Sequence, residues 1–182
     1  HMLDTLEGLP KWKGHLYNWY DTAAAVPLSP RYVSTVDGGN LCACLIALKE
    51  GLQEWGEEKL ARRAEALSEG MDFALLYDKT RRLFYIGYDE DKEAFTQGWY
   101  DLMASEARQT SYLAVAKGQV EPRHWRRLSR MLVGAGDYQG MASWTGTMFE
   151  YFMPNLLLPT EPNSAMYESL AFCLREQRRR GA

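Results

Sequence analysis

The sequence contains only three cysteines among 182 residues. Cys42 and Cys44 are two positions apart and Cys173 is distant, so the odd count and the spacing argue against a disulfide framework. Together with His15 and His124 they also fail to give the cluster of about four ligands that a structural zinc site needs. We therefore interpret the cysteines as small buried apolar residues in a reducing compartment, and we expect no metal site.

Long hydrophobic runs and an excess of one charge are also absent. No apolar run approaches the roughly 18 residues of a spanning helix, and the N-terminus has no signal-peptide pattern. The 21 basic and 24 acidic residues leave a net charge of −3. A global field that would recruit nucleic acid or anionic lipid is therefore missing, and we expect neither nucleic-acid binding nor direct membrane contact.

Several common catalytic signatures are missing as well. The sequence has no G-x-S-x-G elbow, Walker loop, G-x-G-x-x-G or H-E-x-x-H motif, which removes the usual hydrolase, nucleotide-binding and metalloprotease interpretations. The basic stretch at residues 123–130 raises the idea of nucleic-acid binding. Its apolar positions at helical spacing fit the solvated face of an amphipathic helix better. We expect no cofactor.

Aromatic residues are plentiful: 6 Trp, 11 Tyr and 6 Phe. Residues His1 and Met2 resemble the remnant of a cleaved expression tag, and residues 3–182 suit a single unit. Hydrophobic periodicity predicts mostly helices, with one small β-hairpin across residues 74–86. The predicted helices cover approximately residues 41–51, 55–67, 98–117, 121–132 and 164–178, with a glycine-rich link at residues 134–140.

Three segments place a carboxylate among small or aromatic residues. Asp37 precedes a predicted helix start, where helix capping and a site role are about equally supported. Glu106 lies on a predicted helix among small neighbours, and no basic residue occupies the positions three or four away from it. A solvated ion pair is therefore a weaker interpretation, although Arg108 could reach it across a bend.

Glu150 is enclosed by methionine and aromatic residues. Burial would raise its pKa, as a general acid requires, whereas an internal salt bridge is the common alternative. Trp144 and Tyr151 offer flat apolar faces that suit sugar rings, although such side chains more often belong to the core. Paired carboxylates beside aromatic faces are what the cleavage of glycosidic bonds requires.

Five motifs, in the same order along the chain, resemble the central glucoamylase-like domain of cyclic β-1,2-glucan synthases. They are Gly-His-Leu-Tyr-Asn-Trp-Tyr-Asp-Thr (residues 14–22), Pro-Arg-Tyr-Val-Ser-Thr-Val-Asp-Gly-Gly-Asn-Leu (30–41), Leu-Phe-Tyr-Ile-Gly-Tyr (83–88), Tyr-Asp-Leu-Met-Ala-Ser-Glu-Ala-Arg (100–108) and Ser-Trp-Thr-Gly-Thr-Met-Phe-Glu-Tyr-Phe-Met-Pro (143–154).

This resemblance implies a fold, a substrate and a site. The fold would be mainly α, part of an (α/α)-barrel-type glycoside hydrolase-like domain with one small hairpin. The parent would be a bacterial inner-membrane enzyme acting on the cytoplasmic side, whose central domain closes linear β-1,2-glucan into rings by transglycosylation. Glu106 would be the catalytic carboxylate, and the substrate-binding residues would be Asp37, Asn40, Arg108, Trp144, Glu150 and Tyr151.

The family pattern also has parts that this sequence does not contain. A further acidic motif of the Ile-Ser-Glu-Ser type would follow the last predicted helix, and further helices would precede residue 14. We therefore expect residues 3–182 to be a fragment of that domain, inactive or nearly so by itself. The remaining domains of the parent would be its partners, and the helix faces left uncovered imply self-association.

Two alternatives remain open at this point. One is a non-catalytic glucan-binding or scaffolding helical module, in which the same side chains hold sugar hydroxyls without reaction. The other is a helical interaction domain with no role in sugar binding.

Overall fold

The computed structural model describes residues 2–181. Its helices are α1 (Met2–Gly8), α2 (Thr35–Glu54), α3 (Glu58–Glu69), α4 (Arg108–Ala116), α5 (Arg123–Arg127), α6 (Met148–Phe152) and α7 (Ala165–Gly181), with 3₁₀ turns at Phe73–Leu76 and Met153–Leu156. Its strands are β1 (Tyr32–Ser34), β2 (Tyr77–Asp78), β3 (Leu83–Tyr85), β4 (Gly87–Asp89), β5 (Ala94–Phe95), β6 (Trp99–Tyr100), β7 (Leu132–Ala135) and β8 (Tyr138–Met141). Of the expected tag remnant, His1 lies outside the described residues and Met2 begins α1.

The expectation of a mainly α fold of the (α/α)-barrel type is wrong. The described part of the chain is 46% helical and 16% strand, so this is a mixed α/β fold. Its strands form three small antiparallel sheets, in the orders β1-β4-β5, β2-β3-β6 and β7-β8. The helical periodicity of the sequence concealed strands of only two to four residues, because so short a strand leaves little alternation to detect.

The predicted hairpin is present, but it belongs to a larger arrangement of strands. Strands β2 and β3 pair as expected, with Tyr77 opposite Phe84. Strand β6 then adds to β3, with Tyr100 opposite Phe84. The helix predicted from residue 98 is therefore wrong in its first part, where cross-strand aromatic pairs stabilise a strand, and α4 begins only at Arg108.

The glycine-rich link is also a hairpin. Strands β7 and β8 pair along their whole length, from Leu132 opposite Met141 to Ala135 opposite Tyr138. The turn between them contains Gly136 at φ +59°. A two-residue hairpin turn favours glycine at such an angle, so the turn signal was present in the sequence and its strands were missed.

Helix α2 begins earlier than predicted. Ser34 is its N-cap, and the Ser34 Oγ accepts a hydrogen bond from the Asp37 backbone N–H at 3.2 Å. Asp37 therefore lies in the first turn of the helix and does not cap it. A carboxylate at that position interacts favourably with the helix dipole. The last helix, α7, lies close to its predicted position.

The core consists of three clusters of buried side chains. The largest packs residues of β1, α2 and α4 around Phe73 and Phe84. The second joins Leu83 and Met103 to Met141, Tyr151 and Cys173. The third is small and holds α1 against α2 and α3. Cys42 and Cys173 are buried as interpreted, whereas Cys44 is exposed.

Residues 2–181 contain neither a membrane-spanning helix nor a cluster of metal ligands. Within this range no helix has both the length and the apolar character to cross a membrane. The same residues contain no group of three or more His, Cys, Asp or Glu side chains that could hold a metal ion.

Candidate functional site

Three of the acidic side chains singled out in the sequence lie near one another. Asp37 comes from the first turn of α2, Glu106 from the turn before α4, and Glu150 from α6. The negative charges of Asp37 and Glu150 both act on the carboxyl group of Glu106. We call these three residues the acidic cluster. They come from distant parts of the sequence, and the fold brings them together.

Glu106 is the half-buried member of the acidic cluster. It lies in a turn rather than on a helix as predicted, and its backbone carbonyl accepts from the N–H of Gln109 at 3.3 Å. Its carboxyl group has no hydrogen-bond partner among the described residues. Burial, and after it the repulsion from Asp37 and Glu150, raises the pKa of Glu106 above that of an ordinary glutamate. Its proton is therefore held to a higher pH.

Asp37 is exposed and is held by a neighbouring amide. The Asn18 side-chain Nδ2 donates to Asp37 Oδ2 at 3.2 Å, and the Asn18 Oδ1 accepts from the Ser34 N–H at 3.2 Å. One turn further along α2, the Asn40 Oδ1 accepts from Gln109 Nε2 at 3.1 Å. Asp37 and Asn40 thus lie on the same side of α2, and each is oriented by a second polar side chain.

Glu150 differs from both expectations made for it. Its carboxylate accepts hydrogen bonds from Ser143 Oγ and from the backbone N–H groups of Trp144, Thr145 and Thr147, and it forms a capping box with Thr147. Burial acts to raise the pKa of Glu150, but the hydrogen bonds from Thr145, Thr147 and Ser143 outweigh it and leave the pKa below its usual value. Glu150 is therefore an ionised anchor for the loop at residues 143–147.

Aromatic rings lie near members of the acidic cluster. Trp144 is 48% exposed, and its ring centroid lies 6.0 Å from that of Tyr100. Burial, followed by the charge of Glu106, raises the pKa of the Tyr100 phenol. The half-exposed ring of Trp19 lines a cavity together with Asp37, and its centroid lies 6.4 Å from that of Tyr32.

A cavity of about 380 Å³ lies beside Asp37. Asn18, Trp19 and Leu41 contribute to its walls. It therefore combines an exposed indole, an amide and a carboxylate, the groups that hold the apolar faces and the hydroxyls of a sugar.

Two predicted substrate-binding residues are buried. Tyr151 is buried in the second core cluster, and its hydroxyl donates to the Met141 carbonyl at 2.5 Å. The guanidinium of Arg108 is hydrogen-bonded to Asn155 and lines a different cavity. Tyr151 therefore lies beside Glu150 with its hydroxyl bonded into the core, and Arg108 faces a cavity that no member of the acidic cluster lines.

The residues that sequence reasoning missed are Asn18, Trp19, Tyr32 and Tyr100. All four lie inside the motifs that carried the family resemblance. They were not predicted because candidate segments were chosen by their carboxylates. The available signal was a tryptophan, a tyrosine or an asparagine inside a motif that otherwise has no clear apolar periodicity.

Comparison with known proteins gives one relevant relative. No protein-family model matches the chain. A cyclic β-(1,2)-glucan synthase, NdvB from Rhizobium meliloti (strain 1021), is 24% identical over 300 residues that cover 95% of the chain. The chain is similar to a cyclic β-(1,2)-glucan synthase. The resemblance to a cyclic β-1,2-glucan synthase that the five motifs indicated is confirmed.

The chain spans 11% of the length of this glucan synthase. Because the match covers 300 residues and the chain has 182, at least 118 aligned positions have no counterpart in the chain. The similarity is therefore to a small part of a much longer protein, and the matched region of that protein contains additional segments.

Proposed function

We propose that this chain is part of the domain of a cyclic β-1,2-glucan synthase that cleaves and transfers linear β-1,2-glucan, and that it binds the glucan along the acidic cluster between Trp19 and Trp144. The observation that carries the proposal is Glu106, a half-buried carboxyl group with a raised pKa beside a second carboxylate. The exposed rings of Trp19 and Trp144 belong to the same proposed binding surface, and such rings suit the apolar faces of sugars.

Glu106 acts as the general acid in this proposal. Its proton passes to the glycosidic oxygen as the bond from that oxygen to the anomeric carbon breaks, and the bonding electrons stay on the oxygen. A hydroxyl group at the other end of the same chain then attacks the oxocarbenium-like carbon and gives its proton to the Glu106 carboxylate, which closes the ring and restores the acid. A raised pKa suits the acid, because the proton must still be present near neutral pH.

The other members of the site bind and orient. Asp37 and Asn40 accept or donate hydrogen bonds to sugar hydroxyls, and Trp144 stacks on a sugar face. Glu150 contributes by holding the Trp144 loop. Because the chain spans 11% of the length of the related synthase, we expect it to be inactive or nearly so by itself. In the parent, the site faces the cytoplasmic side of the inner membrane, and the other domains are its partners.

The first test measures binding by a thermal-shift titration with linear β-1,2-gluco-oligosaccharides. Cello- and laminari-oligosaccharides serve as linkage controls. A ligand that binds only the native state stabilises it by about 2.7 kcal/mol at a hundredfold excess over Kd, which is a measurable shift. We expect a shift with β-1,2 chains alone; equal shifts with all three linkages would contradict the substrate assignment.

A pair of tryptophan variants tests the location. Trp144→Ala should weaken β-1,2-glucan binding by about two- to tenfold, because a stacked ring contributes about 0.5–1.5 kcal/mol. Trp55→Ala is the matched control, since Trp55 is 82% exposed, caps the end of α2 and has no ring contact within residues 2–181. Equal effects of the two variants would place the glucan elsewhere.

Glu106→Gln in the full-length synthase separates catalysis from binding. We expect ring closure to be lost while glucan affinity is kept. The alternative, a non-catalytic glucan-binding module, predicts a changed affinity with ring closure intact.

A further inference from the structure

A second cavity, of about 320 Å³, lies between α4, α5 and the segment before α7. Its walls are mostly apolar: Met103, Tyr112, Trp125, Leu158 and Met166 contribute to them. The rings of Tyr112 and Trp125 meet edge to face, with centroids 6.2 Å apart. No member of the acidic cluster lines this cavity, so it is separate from the proposed glucan site.

Arg108 is the cation of this cavity, and it is 5% exposed. Its Nη2 donates to Asn155 Oδ1 at 2.8 Å, and its Nη1 donates to the Met166 thioether sulfur at 2.8 Å. The first acceptor is neutral and the second is weak. Within residues 2–181 the guanidinium forms no ion pair.

An unpaired buried guanidinium is unusual because a buried charge is normally compensated by an opposite one. Burial lowers the pKa of Arg108 to about 10, and no neighbouring charge acts against this effect. The side chain is still a cation at neutral pH. By contrast, Arg31, Arg63 and Arg179 each form ion pairs on the surface. The cavity therefore presents a positive charge that lacks an anion.

The remaining polar groups at the cavity do not supply that anion. The Asn155 Oδ1 also accepts from Thr160 Oγ1 at 3.0 Å, so this amide is held in place from two sides. Glu161 is exposed, lines the cavity and forms no ion pair with Arg108 among the described residues. An incoming carboxylate would find a guanidinium with unused N–H groups, the arrangement that binds carboxylates most strongly.

We propose that this cavity binds a small organic carboxylate with an aromatic or aliphatic body. The carboxylate pairs with Arg108, and the apolar body packs against Trp125 and Met103. The cavity volume lies at the lower end of the range for small-molecule sites, which limits the ligand to a compact molecule. A neutral glucan offers no anion, so this site is distinct from the proposed function.

Phenylacetate and phenylacetamide form a matched probe pair, because they share a shape and differ in charge. We expect phenylacetate to raise the Tm of the chain and to change its tryptophan fluorescence, and phenylacetamide to do neither. Acetate tests the apolar part and should bind at least about tenfold more weakly than phenylacetate. Equal responses to the acid and the amide, or no response to phenylacetate, would overturn the proposal.

Arg108→Met provides a signature that a purely structural role would not give. Methionine keeps much of the length and removes the charge, so the Tm without ligand should rise while the response to phenylacetate disappears. Arg62→Met, at an exposed position of α3, is the control and should change neither property. If Arg108→Met lowers the Tm and keeps the response, the proposal is wrong.

Glu161→Gln tests the position of the bound carboxylate independently. It removes a negative charge from the cavity wall, so phenylacetate binding should become tighter while the response to phenylacetamide stays absent. Weaker binding of phenylacetate by this variant would contradict the proposed position of the carboxylate.

Discussion

Gly39 of α2 lies directly against Thr110 of α4, and a Cβ atom at position 39 would stand 1.8 Å from the Thr110 Oγ1. The same Oγ1 donates to the Thr35 carbonyl at 3.2 Å. Asp37 lies two residues before Gly39, and Glu106 lies just before α4. The missing side chain at position 39 therefore allows the close helix approach that brings two members of the acidic cluster together.

Gly39→Ala should lower the free energy of unfolding by about 2–3 kcal/mol, because neither the new methyl group nor Thr110 has room to move without separating the helices. Gly51→Ala is the control in the same helix. Nothing lies within 4 Å of a Cβ there, so alanine should stabilise by about 0.5–1 kcal/mol. Urea unfolding measures both, and similar values for the two variants would contradict the tight contact.

Glu106→Gln should raise the Tm at neutral pH by about 1–3 °C. The pKa of Glu106 is raised in the folded chain, so ionisation becomes unfavourable as the pH rises above the unfolded value of about 4.5. The gain should shrink toward about pH 4, where the native glutamate is itself protonated. Asp101→Asn is an exposed control for the loss of one charge. A lower Tm for Glu106→Gln at neutral pH would show that burial and the charges of Asp37 and Glu150 do not disfavour the ionised Glu106.

Glu150→Gln should destabilise the fold, in contrast to Glu106→Gln. The amide cannot accept all the hydrogen bonds that the carboxylate receives from the loop, so the free energy of unfolding should fall by about 1–2 kcal/mol at neutral pH. The pKa of Glu150 is lowered in the folded chain. Its contribution is therefore complete above the unfolded pKa of about 4.5 and is lost as the pH falls through the folded value.

Urea unfolding as a function of pH checks this second expectation for Glu150. Glu54→Gln, at the exposed end of α2, is the matched control. A Glu150→Gln deficit that stays constant down to about pH 2 would mean that the carboxylate charge is not what the loop requires.

His15 and His124 should make the fold sensitive to mild acid. Both rings are fully buried. The His124 Nδ1–H donates to the Arg82 carbonyl at 2.9 Å, and Nε2 forms a 2.8 Å hydrogen bond with Ser111 Oγ in which it is the acceptor when the ring is neutral. The His15 Nε2–H donates to the Asp72 carbonyl at 3.0 Å. Burial lowers the pKa of each histidine below the ordinary value of 6.5.

The unfolded chain therefore binds more protons than the folded chain below about pH 6.5, and stability falls as the pH decreases through that value toward the folded pKa. Each histidine contributes at most about 1.4 kcal/mol per pH unit. Urea midpoints between about pH 7.5 and 5.5 should show this slope, and His15→Asn and His124→Asn should each flatten part of it. A wild-type stability that stays level across the range would show that these rings are not held neutral.

Local patterns predicted the parts of the fold whose contacts are local. Helices α2 and α7 and the β2–β3 hairpin depend on residues close in sequence, and each was found near its predicted position. Strands β1 and β4 pair with Val33 opposite Tyr88, and no short window of sequence contains both. Such non-local pairing explains why most of the strand content was missed, and with it the fold class.

In the candidate site, too, local features were predicted and non-local ones were not. The motifs identified Asp37, Glu106 and Glu150 individually, but their shared position depends on tertiary packing. The role of Glu150 as an anchor was available locally, because Thr147 and Glu150 have the spacing of a capping box. The support that Asn18 gives to Asp37 was not, since it depends on how residues 14–22 cross the start of α2.

The loop that carries Trp144 is tied to Glu150 by hydrogen bonds within the chain itself. A molecule that stacks on this indole pays little conformational entropy to order the loop. Its association rate should therefore rise in proportion to ligand concentration without a slow isomerisation phase, as is typical of a surface shaped before the encounter.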